Sequence, residues 1–386
     1  MRTHGSRPGF VPGVHAARAI AVTMVLAAHI VGLWTALNSG VVYKPWSAYL
    51  KLFIQPLRID HQNGGHTGLL LFFLVSGFIV SQAAEGEGRL AFIAKRAARL
   101  LPAMILATAF TVLVATLGRS QGWLPMFGYD AQRAESFHAV LDGIGLGLLF
   151  GGISTIFVLW SLHVEYMWYS LLALALPMAQ KRPVLLTTVL TVALTVITLV
   201  VPTNESGSVT PTVSVWPYLL VILAGRWIYH WYRGQLGVVV AAGGTLLALI
   251  GYCVTQYRFV GSPVIGGQFP YVVATLWATA GFIALLVLVK RVWRPVAFVA
   301  DISYGLYLFH IPTTWLFMPI LSPGGRHFTL GLVVTLLATG LIAWACETGV
   351  ERPIRRRLRA RLKAGVRQPA LPVDAGQHGG VNATTT

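Results

Sequence analysis

ARAIAVTMVLAAHIVGLW, residues 17–34, is apolar enough to cross a bilayer, yet it carries Arg18 near its start and His29 well inside the run. A charged side chain at the bilayer centre costs at least ~3 kcal/mol on insertion scales, and a neutral imidazole there still needs a hydrogen-bond partner. Eleven residues at about 100° each come within about 20° of three full turns, so a helix puts Arg18 and His29 on one face, about 16 Å apart along its axis. The plain alternative is an interfacial arginine that snorkels and a histidine bonded inside a bundle. For these two residues alone the two readings are even, and the rest of the chain has to decide.

Charged residues make up 11% of the 386 and hydrophobic ones 55%, with a mean hydropathy of +0.69; a soluble globular protein carries roughly 25% charge. The chain is therefore an integral membrane protein with no room for a separate soluble catalytic domain. Apolar runs near 15–36, 67–84, 102–118, 154–178, 183–201, 215–233, 236–254, 270–289, 295–319 and 328–348 predict about ten spanning helices, most near the ~20 residues a span needs. The expected fold is an all-α transmembrane bundle. A cytoplasmic N-terminal segment covers 1–12, the transmembrane domain 13–357, and a basic, then disordered, cytoplasmic tail 358–386. With the N-terminus inside, most of the 29 Lys and Arg fall on the cytoplasmic side, including Arg226, Arg233 and the cluster from Arg352 onward. Both termini are then cytoplasmic. The net charge of +17 is explained by this asymmetry and not by nucleic acid, for which no recognition motif is present. Cys253 and Cys346 lie in apolar runs without metal-ligand spacing, so neither a disulfide framework nor a metal site is indicated.

Further ionisable residues sit inside or beside the spans. In FIAKRAARLLP, residues 92–102, Arg96 and Arg99 share a helical face, and paired guanidiniums of this kind grip phosphates bidentately; an ordinary positive-inside loop is the bland reading. LWSLHVEYMWYS, residues 159–170, places Trp160 and Glu165 in an apolar run. A carboxylate there is a functional candidate by default, while Trp160 also suits an interfacial belt. ISYGLYLFHIP, residues 302–312, sets Ser303, Tyr307 and His310 along one helical stripe, which elsewhere serves only to stitch helices together. CETGVERPIRRR, residues 346–357, ends the last span with Glu351 among arginines, the pattern of a surface salt-bridge network.

Together, Arg18 and His29 as R-x10-H, FFLVSGFIVS at 72–81, the FIAKRAARLLP, LWSLHVEY and ISYGLYLFHIP stretches and ERP at 351–353 as E-x-P resemble, in order and spacing, the acyltransferase 3 family of bacterial membrane O-acyltransferases. The resemblance covers about residues 13–357. It implies a ten-span bundle with cytoplasmic termini in the bacterial inner membrane and acyl-CoA as donor and co-substrate. His29 then becomes the catalytic histidine and Glu351 a required residue; Arg18, Arg96 and Arg99 serve the donor, and Trp160, Glu165, Ser303, Tyr307 and His310 line the acceptor side. The basic motif, Lys95, Arg96 and Arg99, is sparser than a dense arginine run, and the SGNH domain that follows the bundle in many relatives is absent from this sequence. The stand-alone members include macrolide O-acyltransferases, so the expected acceptor is a hydroxyl of a macrolide-like glycoside and the expected acyl group is acetyl. A cell-envelope glycan is the alternative, and a secondary transporter is a second alternative from another class.

Overall fold

The computed structural model describes residues 10–37, 42–59, 61–120, 140–141, 144, 158–201, 214–260 and 269–366. Among them there are helices and no strands, as bilayer depth demands of backbone that must satisfy its own hydrogen bonds. The first helix, α1, starts with Pro12 in its first turn, where a missing N–H costs nothing. It runs Pro12–Leu26, widens into a π-helical turn over Ala27–Leu33 and finishes at Trp34–Leu37. Then follow α2 (Gly65–Ala84), α3 (Arg89–Ser120), α4 (Leu159–Leu174), α5 (Pro183–Val200), α6 (Tyr218–Tyr232), α7 (Val238–Val260), α8 (Pro270–Leu288) and α9 (Arg294–Leu321). The chain ends in α10 (Phe328–Cys346), a second π-helical turn (Glu347–Glu351) and α11 (Arg352–Val366).

Among the described residues seven helices are long and apolar enough to cross a membrane, against the ten expected. The difference has a physical source. The α4 and α6 helices run only 16 and 15 residues, short of the ~20 that span a bilayer, and α9, 28 residues long, carries the polar stripe of Ser303, Tyr307 and His310. One other expectation changes. Arg226, counted with the loop charges, is 1% exposed inside α6, where it donates to the hydroxyls of Thr187 and Ser81. The basic segment after Glu351 is helical to Val366, since Arg, Leu, Ala and Lys are good helix formers; the rest of the expected disordered tail, residues 367–386, lies outside the described residues.

α2 is the axle of the bundle, packed on α1, α6 and α8, and α1 in turn lies on α8 and α9. The α2–α6 crossing is close because glycines face backbone: a Cβ on Gly77 would strike the Ile222 carbonyl, and one on Gly225 the Leu74 carbonyl. Outside this centre α9 packs on α3 and α10. α5 is peripheral, with 22% of its apolar window buried compared with 78% for the stretch containing α2.

Candidate active site

α1 and α9 run side by side in the same direction, and their polar residues pair rung by rung. Arg18 donates from Nη2 to Ser303 Oγ at 2.9 Å. Eleven residues further along α1, His29 Nδ1 meets His310 Nε2 at 2.9 Å. The two imidazoles are nearly coplanar, 7° apart with centroids separated by 5.2 Å, the arrangement of an end-to-end hydrogen bond and not of a face stack. His29 lies in the π-helical turn, a feature found in helices mostly at functional positions. His310 is wholly buried, and its other ring nitrogen, Nδ1, lies 2.8 Å from the Tyr307 carbonyl of its own helix. Two residues on, Pro312 interrupts the backbone ladder. The threonine hydroxyls of Thr313 and Thr314 bond back to the carbonyls of Phe309 and His310 there.

On the Arg18 side of this pair, an open cavity is walled by Arg18, Phe72, Arg96, Arg99, Ser161, Glu165, Tyr169, Ser303, Tyr304 and Tyr307, with apolar residues of α2 between them. It is amphipathic: three guanidiniums face one carboxylate, and that carboxylate already accepts from the Tyr169 hydroxyl at 2.8 Å. Arg96 lies over the Phe92 and Tyr169 rings, 5.3 and 5.9 Å from their centroids, and its Nε is buried without a hydrogen-bond partner. The Tyr307 and Ser161 hydroxyls stand 2.7 Å apart in the wall, and the Tyr307 ring is 5.9 Å from that of His310. Tyr307 thus stands between the cavity and the histidine pair.

A second open space adjoins the first and shares Arg18, Ile79, Arg96, Arg99 and Tyr304 with it. Its remaining wall is charged, with Lys95, Arg355 and Arg359 opposite Glu87, Asp301, Glu347 and Glu351. Here α11 folds back against the start of α3. Glu351 accepts from Arg355 Nη1 at 2.8 Å, and Glu347 accepts from Arg355 Nη2 at 2.6 Å and from Arg352 Nε at 2.9 Å. Lys95 is tied to Glu87 at 2.9 Å.

A family model described as an acyltransferase domain matches residues 11–347. The chain belongs to the acyltransferase 3 family. No curated protein and no solved structure matched it. As a member of this family it is a multi-pass membrane acyltransferase. The matched region ends at Glu347, so Glu351 stands just outside it.

The structure brings Arg18, Arg96, Arg99, Glu165, Ser303 and Tyr307 to one cavity and pairs His29 with His310 behind Tyr307. It does not bring Glu351 to His29: Glu351 walls the outer space, which His29 does not reach. Trp160 lines neither space and instead packs in an aromatic cluster, its ring 5.0 Å from Tyr218 and 6.5 Å from Phe73. Tyr304 and Tyr169, which the sequence reading passed over, wall the inner cavity. Tyr169 had a legible signal, lying four residues after Glu165 on the same helix face. Tyr304 had none, because its anchor, the Leu100 carbonyl at 2.9 Å, lies on another helix.

Proposed function

We propose that this acyltransferase moves an acyl group, acetyl first among them, from acyl-CoA to a hydroxyl of a glycosylated acceptor, with His29 as the general base. The observation that carries the reading is the excess of guanidinium over carboxylate in the inner cavity, together with the unpartnered Nε of Arg96. A pocket with three arginines and one carboxylate favours an anionic ligand, and guanidiniums suit phosphate oxygens. Entering from the end that carries both termini, which we place in the cytoplasm, the donor would leave its phosphates at Lys95, Arg96, Arg99 and Arg18. Its pantetheine arm would then run along α1 toward His29, over the roughly 16 Å that eleven helical residues cover.

Acyl transfer requires a base for the hydroxyl proton, donors for the developing oxyanion and a positioned thioester. An imidazole, whose ordinary pKa lies near neutrality, suits the first. In the balanced reaction the acceptor oxygen bonds to the thioester carbon and the C–S bond breaks. The acceptor's proton passes through His29 to the departing thiolate, and CoA leaves as the free thiol. We take the acceptor to be a macrolide-like natural product and the membrane to be the bacterial inner membrane. The test is release of free thiol by the purified protein in nanodiscs given acetyl-CoA and a panel of glycosides, with the products weighed by mass spectrometry. Thiol release with an acetylated glycoside is expected. An intact thioester with every acceptor would overturn acyl transfer in favour of a transporter, whereas acetylation confined to envelope glycans would overturn only the acceptor.

A further inference from the structure

The contacts of His310 fix the protonation pattern of His29. A carbonyl can only accept, so His310 Nδ1, 2.8 Å from the Tyr307 carbonyl, carries a hydrogen. Taken as a neutral ring, as a core this apolar requires, His310 then has a bare Nε2. That nitrogen lies 2.9 Å from His29 Nδ1, which must therefore be the donor. In a neutral His29 with its hydrogen on Nδ1, the basic nitrogen is Nε2. The two hydrogen bonds run in one direction, from His29 through His310 to the backbone, and the near-coplanarity of the rings at 7° holds the line straight.

We infer that His310 is a positioning residue that locks His29 in the tautomer with Nε2 as the base, in the role a carboxylate plays for the histidine of a hydrolase triad. This inference rests on the reading of His29 as the base. When His29 Nε2 takes the acceptor's proton, both its nitrogens carry hydrogen. Nδ1–H then stays on His310 Nε2, and the added charge is shared with a polarised imidazole that is itself anchored to a carbonyl. No proton has to move beyond His29 and no carboxylate is needed. The reverse assignment, with His310 as the base, would require His310 to give up one of the two bonds it makes. The π-helical turn at Ala27–Leu33 belongs to this device, since it departs from regular α-helix at His29.

The test uses the full chain in nanodiscs and two substitutions. His310→Gln keeps an acceptor oxygen near the place of Nε2, whereas His310→Leu fills the space and offers none. With ring-¹⁵N-labelled histidine, and His29→Ala to identify the signal, His29 should show a protonated Nδ1 and a bare Nε2 in the wild type and in His310→Gln, and mixed tautomers in His310→Leu. In turnover, His310→Leu should lower kcat by about 10- to 100-fold, the range for loss of an orienting partner, with donor KM within about twofold and substantial rescue by His310→Gln. A protonated Nε2 on wild-type His29, or an unchanged His29 spectrum in His310→Leu, would overturn the inference. So would equal kcat losses for Leu and Gln. A wild type that turns over no donor overturns the acyl-transfer reading alone, and the tautomer spectra still decide the positioning.

Discussion

Replacing Arg355 should destabilise the protein more than replacing the glutamate it binds. Glu351 is 3% exposed; Arg355 holds it at 2.8 Å and the Cys346 thiol lies 3.9 Å away, with the Glu347 carboxylate also against it and the Arg99 guanidinium as a more distant cation. Arg355→Ala leaves that carboxylate buried without its cation, a change that costs about 3–5 kcal/mol when the group cannot relax. With the Arg355 side chain 25% exposed, the lower end applies. Glu351→Ala is milder, because Arg355 keeps Glu347 at 2.6 Å, and the loss is of the order of one charged hydrogen bond, about 1.5 kcal/mol. The double substitution removes the orphaned carboxylate along with its partner, and Glu347 still holds Arg352 at 2.9 Å. It should therefore be more stable than Arg355→Ala alone. The assay is thermal unfolding of the four proteins in nanodiscs at fixed lipid composition. The expected order of Tm is wild type, Glu351→Ala, the double variant, and Arg355→Ala lowest. A double variant less stable than Arg355→Ala, or losses that simply add, would refute the account of Glu351 as a buried charge kept in place by one arginine.

His29→Ala should abolish thiol release while the protein still inserts and elutes as a single species, since removing a polar group does not hinder entry into a membrane; retained turnover removes His29 from the chemistry. Arg18→Ala, and Arg96→Ala with Arg99→Ala, should raise the donor KM by about tenfold or more, the value of one charge-assisted hydrogen bond, and leave the acceptor KM unchanged; a shift in the acceptor KM alone contradicts the donor assignment. Gly77→Leu should prevent folding by wedging α2 from α6, whereas Gly243→Ala, with nothing within 4 Å of the new Cβ, should be silent in a thermal melt.

The spans were legible because burial in lipid leaves long apolar runs, and every run placed in the sequence contains helix among the described residues. Their count was less so: α4 and α6 are helical for only 16 and 15 residues, and hydropathy cannot distinguish a short helix within a bundle from one that crosses a bilayer. The common face of Arg18 and His29 was readable from the helical period, and both do reach α9. The partners were not, because Ser303 and His310 lie more than 280 positions away in sequence, and a period describes one helix at a time. For the same reason the sequence separated the Glu165 and Arg96 segments that share a cavity, and it grouped Glu351 with His29, although Glu351 walls the outer space and His29 lines neither of the two. The π-helical turn left no mark that a regular 100° step could show. Arg226 was misplaced because a lone arginine in an apolar run reads as a helix end, and only the hydroxyls of Thr187 and Ser81 on neighbouring helices make its burial tolerable.

The pairing of α1 with α9 has a consequence for how the molecule is made. Arg18 leaves the ribosome 285 residues before Ser303, and His29 leaves it 281 before His310. At synthesis rates of about 5–20 residues per second, that interval is roughly 15 to 60 seconds. Throughout it the nascent first span lies in the translocon or the bilayer with its guanidinium lacking Ser303 and its imidazole lacking His310, held by α2, the earliest arrival among its packing neighbours. The two sides of the ladder are thus separated in time as well as in sequence. A nascent chain arrested before α9 can insert, but it holds neither rung. The pairing that α1 makes here is complete only when α9 joins the bundle.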